Sequence, residues 1–123
     1  MGLSALPSSA AQARRLVADA IGDDGQLCEI AVLLVSELVA NAVLHAGTPC
    51  LVLVEHDAER VRVEVRDEDP RLPVMKDYGT TAVTGRGLHI VDRLSDRWGF
   101  SGDDVSKTVW FELDRVPAAV EDN

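Results

Sequence analysis

The sequence predicts an α+β protein, a two-layer sandwich in which one mostly antiparallel sheet carries helices on one of its faces. Three observations predict it. Two stretches with apolar residues at helical spacing open the chain, two pairs of strand-like runs follow, and a third helical stretch lies between those pairs. Each helix needs an apolar surface to cover, and a single sheet offers one face to all of them. The other face is left to water or to association, including the pairing of two copies.

The first helix is expected in AAQARRLVADAIG, after Pro7, Ser8 and Ser9, because Ala13, Leu16, Val17, Ala20 and Ile21 recur on one side and Gly22 closes the pattern. Asp23 or Asp24 can cap a second helix that runs from about Gln26 to Ala46. Gly47 stands just past its end as a left-handed stop, and Pro49 confirms the break.

Two strands, CLVLVEH and RVRVEVRD, are joined by Asp57, Ala58 and Glu59 as a short hairpin loop. In the second, Val61, Val63 and Val65 face one side and Arg62, Glu64 and Arg66 the other, so Asp67 falls on the valine side. The segment from Glu68 to Thr84 has two prolines and no sustained period. A connection of that length is usually either a functional lid or disordered. Gly85 to Asp96 resumes helical spacing through Leu88, Val91 and Leu94, and a last hairpin comes from DRWGFSG and VSKTVWFEL. Alternation there places Lys107 on the side of Val109 and Phe111, and Thr108 on the other. Trp98 and Trp110 read as core or sheet-face packing. The whole is one domain over 8–114, with flexible ends at 1–7 and 115–123.

Of the 123 residues 46% are apolar and 27% charged, a balance that suits a soluble globular domain with one core. A net charge of -9 disfavours a nucleic-acid partner, because phosphate-backbone binders need a basic stripe. An acidic body suits a protein partner, or a nucleotide that arrives with its own cation. Glu37 and Asn41 interrupt the best candidate for a membrane span, and MGLSALPSSAAQARR lacks the pattern of a secretion signal. No membrane association is expected, and the cytoplasm is the expected location. Cys28 and Cys50 form no C-x-x-C pair and read as reduced, largely buried thiols. The histidines are not spaced as metal ligands, and His45, two turns beyond Glu37, reads as a helix-end residue.

The run IAVLLVSELVANAVLHA carries the chemistry. Glu37 and Asn41, four residues apart, share one face of an otherwise apolar helix, and a carboxylate in such a setting needs a partner. An Asn amide oxygen suits Mg²⁺, which takes one or two protein oxygens beside phosphates and waters, and a neighbouring carboxylate can accept a proton from an attacking hydroxyl. The alternative is that the two residues simply edge a partly exposed helix. Gly85 and Gly87 let backbone approach a ligand at the start of a helix whose unpaired N–H groups favour phosphate, although a tight turn into a helix has the same appearance. Arg86 between them either steadies phosphate charge or is solvated. Asp67 can accept from an exocyclic amino group such as that of adenine, or can serve as the turn former of Asp67-Glu68-Asp69-Pro70.

The order E37-L-V-A-N41, V-E-V-R-D67 and G85-R-G87-L resembles the GHKL, or Bergerat-fold, ATP-binding family, over nearly the whole chain from about Ala10 to Leu113. Within it the chain is most similar to the small anti-sigma-factor serine kinases and related actinobacterial regulatory ATP-binding proteins. The resemblance implies that Glu37 is the general base, Asn41 the magnesium ligand and Asp67 the acceptor for the adenine amino group. It also implies that Gly85, Arg86, Gly87 and Leu88 form the phosphate-side turn, beside a lid from about Arg71 to Thr84. Two positions depart from the family pattern. Asp69, followed by Pro70, stands where the family usually has a glycine close to the base, and in the last strand Thr108 faces away from the side on which a base-contacting threonine would lie.

The resemblance implies ATP and Mg²⁺ as cofactors, and a serine/threonine kinase that phosphorylates an anti-anti-sigma (STAS-like) partner. The alternative is a non-catalytic ATP-binding switch module that sequesters a sigma factor or another regulatory protein.

Overall fold

Alternating valines and two apolar helical stripes build the molecule in a computed structural model, which describes residues 1–4, 8–22, 25–43, 47–69 and 83–115, with 83–87 as backbone only. The elements are β1 (Gly2–Leu3), α1 (Ser9–Ile21), α2 (Gly25–Asn41), β2 (Cys50–His56), β3 (Arg60–Asp67), α3 (Val83–Leu94), β4 (Arg97–Gly102) and β5 (Lys107–Asp114). The strands form one antiparallel sheet in the order β1-β2-β3-β5-β4.

The inner face of that sheet is written by period two: Val52, then Val61, Val63 and Val65, then Val109, Phe111 and Leu113, all buried. Against it lie Ala13 and Val17 of α1, Leu34, Val35 and Val39 of α2, and Leu88 and Val91 of α3, also buried. The result is the expected α+β two-layer sandwich with helices on one face. Burying a Val or Leu side chain of this kind contributes about 1.5–3 kcal/mol before chain entropy is counted.

The outer face is largely charged on β3 and β5, while β2 presents the exposed Leu51 and Leu53 there. Glu112 is 9% exposed and sits among arginines, accepting from Arg62 Nη1 at 2.9 Å and Arg97 Nε at 2.7 Å. The Arg62 guanidinium in turn lies 4.2 Å over the Trp110 ring. On the inner side, opposite Phe111, Trp98 donates its indole N–H to Asp92 of α3 at 2.8 Å. Gly99 is required beneath Trp110, since a β-carbon there would stand 2.7 Å from the indole ring.

Helix α2 widens where its regular winding ends. Ala42 and Val43 are π-wound, and Gly47 N–H donates to Ala42 O at 2.9 Å, a bond spanning five residues. Gly47 has φ 65°, the left-handed stop expected there.

Three differences from the sequence reading have physical causes. Gly2 and Leu3, within the end read as flexible, pair with Leu51 and Cys50, while Val52 N–H donates to Met1 O at 2.9 Å. A two-residue strand has no room for an alternating pattern to announce it. Helix α3 begins at Val83, ahead of Gly85, and stops at Leu94, because Asp96 N–H turns to Glu112 O at 2.9 Å and starts the next ladder. At the other end Arg115 is tied to the β2–β3 loop, its N–H donating to Glu59 O at 2.8 Å. The rest of the tail, the capping Asp23 and Asp24, His45 and the segment 70–82 lie outside the described residues.

Candidate functional site

At one end of the sheet the inner face stops being apolar. The register aligns Leu3, Cys50, Asp67, Lys107 and Gly102 across all five strands. Parity with Val65 and Val109 turns Asp67 and Lys107 inward, and their side chains are only 7% and 13% exposed.

The two form an ion pair. Lys107 Nζ lies 2.8 Å from Asp67 Oδ2 and 3.0 Å from Oδ1, and reaches Asp69 O at 3.4 Å. Asp67 Oδ1 also accepts from Asp69 N–H at 2.9 Å, so the carboxylate both pairs a cation and organises the turn that follows it. The two readings of Asp67 given by the sequence, ligand acceptor and turn former, are therefore compatible. Beside it, burial pushes the Cys50 thiol above its ordinary pKa and the negative charge of Asp67 adds to the effect. Cys50 stays a neutral thiol in the floor of the site.

A cleft of about 820 Å³ opens at this end of the sheet, lined by Leu3, Ser4, Cys50, Asp67, Glu68 and Ser106 together with the outward-facing Leu51 and Arg66. Its volume falls within the range of small-molecule sites. Thr48 Oγ1 accepts from Glu68 N–H at 3.1 Å, which ties the connection leaving α2 to the turn leaving β3. That bond brings the C-terminal end of α2 to the same end of the sheet as Asp67.

Asn41 is the last residue of α2 and Glu37 stands one turn before it; both are half-buried, between the buried Leu38, Val39 and Ala42. Neither side chain makes a hydrogen bond or ion pair to another described residue. An amide oxygen and a carboxylate left unpartnered on an apolar helix suit a ligand that supplies its own counter-groups. Among the described residues no three His, Cys, Asp or Glu side chains group into a metal site, so these residues offer no complete cage for a cation. The donor set does suit Mg²⁺ held by one or two protein oxygens together with phosphates and waters.

Gly85 and Arg86 fall within the first turn of α3, where backbone N–H groups have no partner inside the helix. Gly87 follows in the same helix. Leu88 is 1% exposed and packs in the core, fixing the start of α3 against the rest of the fold. The proposed lid lies outside the described residues except for Val83 and Thr84, which begin α3.

Lys107 is the residue of this site whose part the sequence reading missed. Its inward parity was legible, and a lysine in line with Val109 and Phe111 was the signal that a buried acid must face it. Only the register, which sets Lys107 opposite Asp67, names that acid.

No curated protein matches the chain. Residues 3–113 match the model of a protein family, the histidine kinase-like ATPase domain, which covers both the sheet with its three helices and every candidate site residue. A domain of this family implies nucleotide binding. The chain belongs to the histidine kinase-like ATPase domain family.

Proposed function

We propose that the chain is a cytoplasmic regulatory kinase that takes Mg²⁺-ATP and phosphorylates a seryl or threonyl hydroxyl on a partner protein, an anti-anti-sigma (STAS-like) protein in the branch it resembles. The observation that carries this reading is the pair Glu37 and Asn41, half-buried one turn apart at the end of α2 with no partner among the described residues. ATP binding alone does not need a carboxylate there. In this reading Asn41 offers its amide oxygen to the cation, and Glu37 accepts the proton of the attacking hydroxyl. The first N–H groups of α3 hold phosphate oxygens, and Asp67 receives the base. Magnesium supplies neutralisation of phosphate charge when bound.

A second reading is a switch module that binds ATP and sequesters a sigma factor or another regulator without chemistry. It is favoured by the absence, among the described residues, of any group that orients the Glu37 carboxylate, which a general base ordinarily has. Incubation with labelled ATP, Mg²⁺ and candidate partners decides between the two. The kinase reading expects label on the partner, lowered about a hundredfold by Glu37→Gln with ATP binding kept. ATP binding without any transfer to a partner that the protein does bind establishes the switch instead.

A further inference from the structure

Once the ion pair has formed, the hydrogen-bonding capacity of Asp67 is nearly used up, and what remains has a definite pattern. A carboxylate offers about two lone-pair sites on each oxygen. On Oδ1 both are taken among the described residues, one by Asp69 N–H at 2.9 Å and one by Lys107 at 3.0 Å. Oδ2 lies 2.8 Å from Lys107 Nζ as an ion-pair contact, but the hydrogen bond of the ammonium goes to Oδ1, so Oδ2 keeps acceptor capacity. The ammonium has three protons, of which one serves the carboxylate and one points to Asp69 O at 3.4 Å. One donor therefore remains beside one acceptor.

We propose that Asp67 and Lys107 act together as the base reader of the nucleotide site, Asp67 Oδ2 accepting from an exocyclic amino group while Lys107 Nζ donates to the neighbouring ring nitrogen. The proposal rests on the reading that this site takes a purine nucleotide. Adenine fits the remaining pattern, since its N6 amino group donates and its N1 accepts. Guanine grips a carboxylate through N1–H and N2–H in parallel, which needs an open acceptor on each oxygen, and Oδ1 has none. Placed like adenine, guanine sets its O6 against the Asp67 carboxylate. Lys107 is thus a specificity-determining residue: it supplies the donor for N1, and with Asp69 N–H it closes the oxygen that guanine would use.

The test removes one atom from the ligand and one group from the protein. ATP, 1-deaza-ATP, which lacks the N1 acceptor, and GTP are titrated calorimetrically, with Mg²⁺, into the wild type and Lys107→Met. The wild type is expected to bind 1-deaza-ATP roughly tenfold or more weakly than ATP, the scale of one charge-assisted hydrogen bond. In Lys107→Met that difference should shrink to within about twofold, and GTP should gain on ATP. An equal penalty for 1-deaza-ATP in both proteins overturns the role of Lys107 while leaving nucleotide binding in place. A wild type that binds none of the three overturns the nucleotide reading itself. Because Lys107→Met leaves Asp67 without its cation and can fail to fold, the wild type carries a second measurement. ATP should slow acetylation of the Lys107 amine several-fold more than 1-deaza-ATP does at equal site occupancy, and equal protection by the two contradicts the contact with N1.

Discussion

Lys107 Nζ lies 2.8 Å from Asp67 Oδ2 and 3.0 Å from Oδ1, across a β3–β5 register that sets the two residues directly opposite each other. A buried lysine and a buried aspartate at the sheet end each answer the desolvation of the other. In the proposed reading the same pair also receives the base of the nucleotide, so stability and recognition are linked at this position.

Asp67→Asn should therefore do two things. With Lys107 against Asp67, the substitution should cost about 1–3 kcal/mol by leaving the ammonium without its counter-charge, and it should weaken ATP binding. Asp67→Asn/Lys107→Met should recover part of that stability without recovering ATP affinity. Urea unfolding and nucleotide titration of both variants check the two halves separately.

Asn41→Ala should abolish the dependence of nucleotide binding on Mg²⁺ while changing stability by no more than about 0.5 kcal/mol, because Asn41 bonds no other described residue. Titrations with ATP in Mg²⁺ and in a chelator measure the first effect. A variant that still binds ATP more tightly in Mg²⁺ would move the metal ligand elsewhere.

The outer-face cluster gives a pH dependence. Hydrogen bonds from Arg97, and then from Arg62, hold the Glu112 carboxyl below its ordinary pKa against the opposing effect of burial. Its contribution is therefore complete above the ordinary carboxylate value and disappears as pH falls through the lowered folded-state value. Glu112→Gln should be less stable than the wild type near neutrality, and the gap should narrow in acid. Thermal unfolding of both proteins across that range reads the difference, and a gap constant with pH would remove Glu112 from the account.

Gly99→Ala tests the packing of the same face. Its β-carbon would meet the Trp110 ring at 2.7 Å, so the ring must leave its place over Gly99 and loosen from Arg62. A loss of about 1–3 kcal/mol is expected, the usual range for overpacking. Gly99→Ala/Trp110→Ala should lose less than the two single losses added together, which a double-mutant cycle in urea measures.

Most of the architecture was legible because its signals are local. The valines of β3 alternate, α1 repeats its apolar residues at helical spacing, and Gly47 takes the left-handed conformation that its place after α2 requires. What was not legible depends on register or on contacts far along the chain. Leu3 joins the sheet through Cys50, a pairing nothing in a two-residue strand can announce. Thr48 holds the β3 turn through a single bond to Glu68 N–H. Lys107 shows the limit most clearly: alternation placed it on the inner face, and its partner emerged only when β5 was laid against β3.

The most direct test of the account is calorimetric titration of the wild-type protein with ATP in Mg²⁺. The account predicts saturable binding at one site per chain, tighter for ATP than for GTP. Absence of binding at millimolar ATP, or equal affinity for the two nucleotides, would contradict the site built here from Asn41, Asp67 and the start of α3.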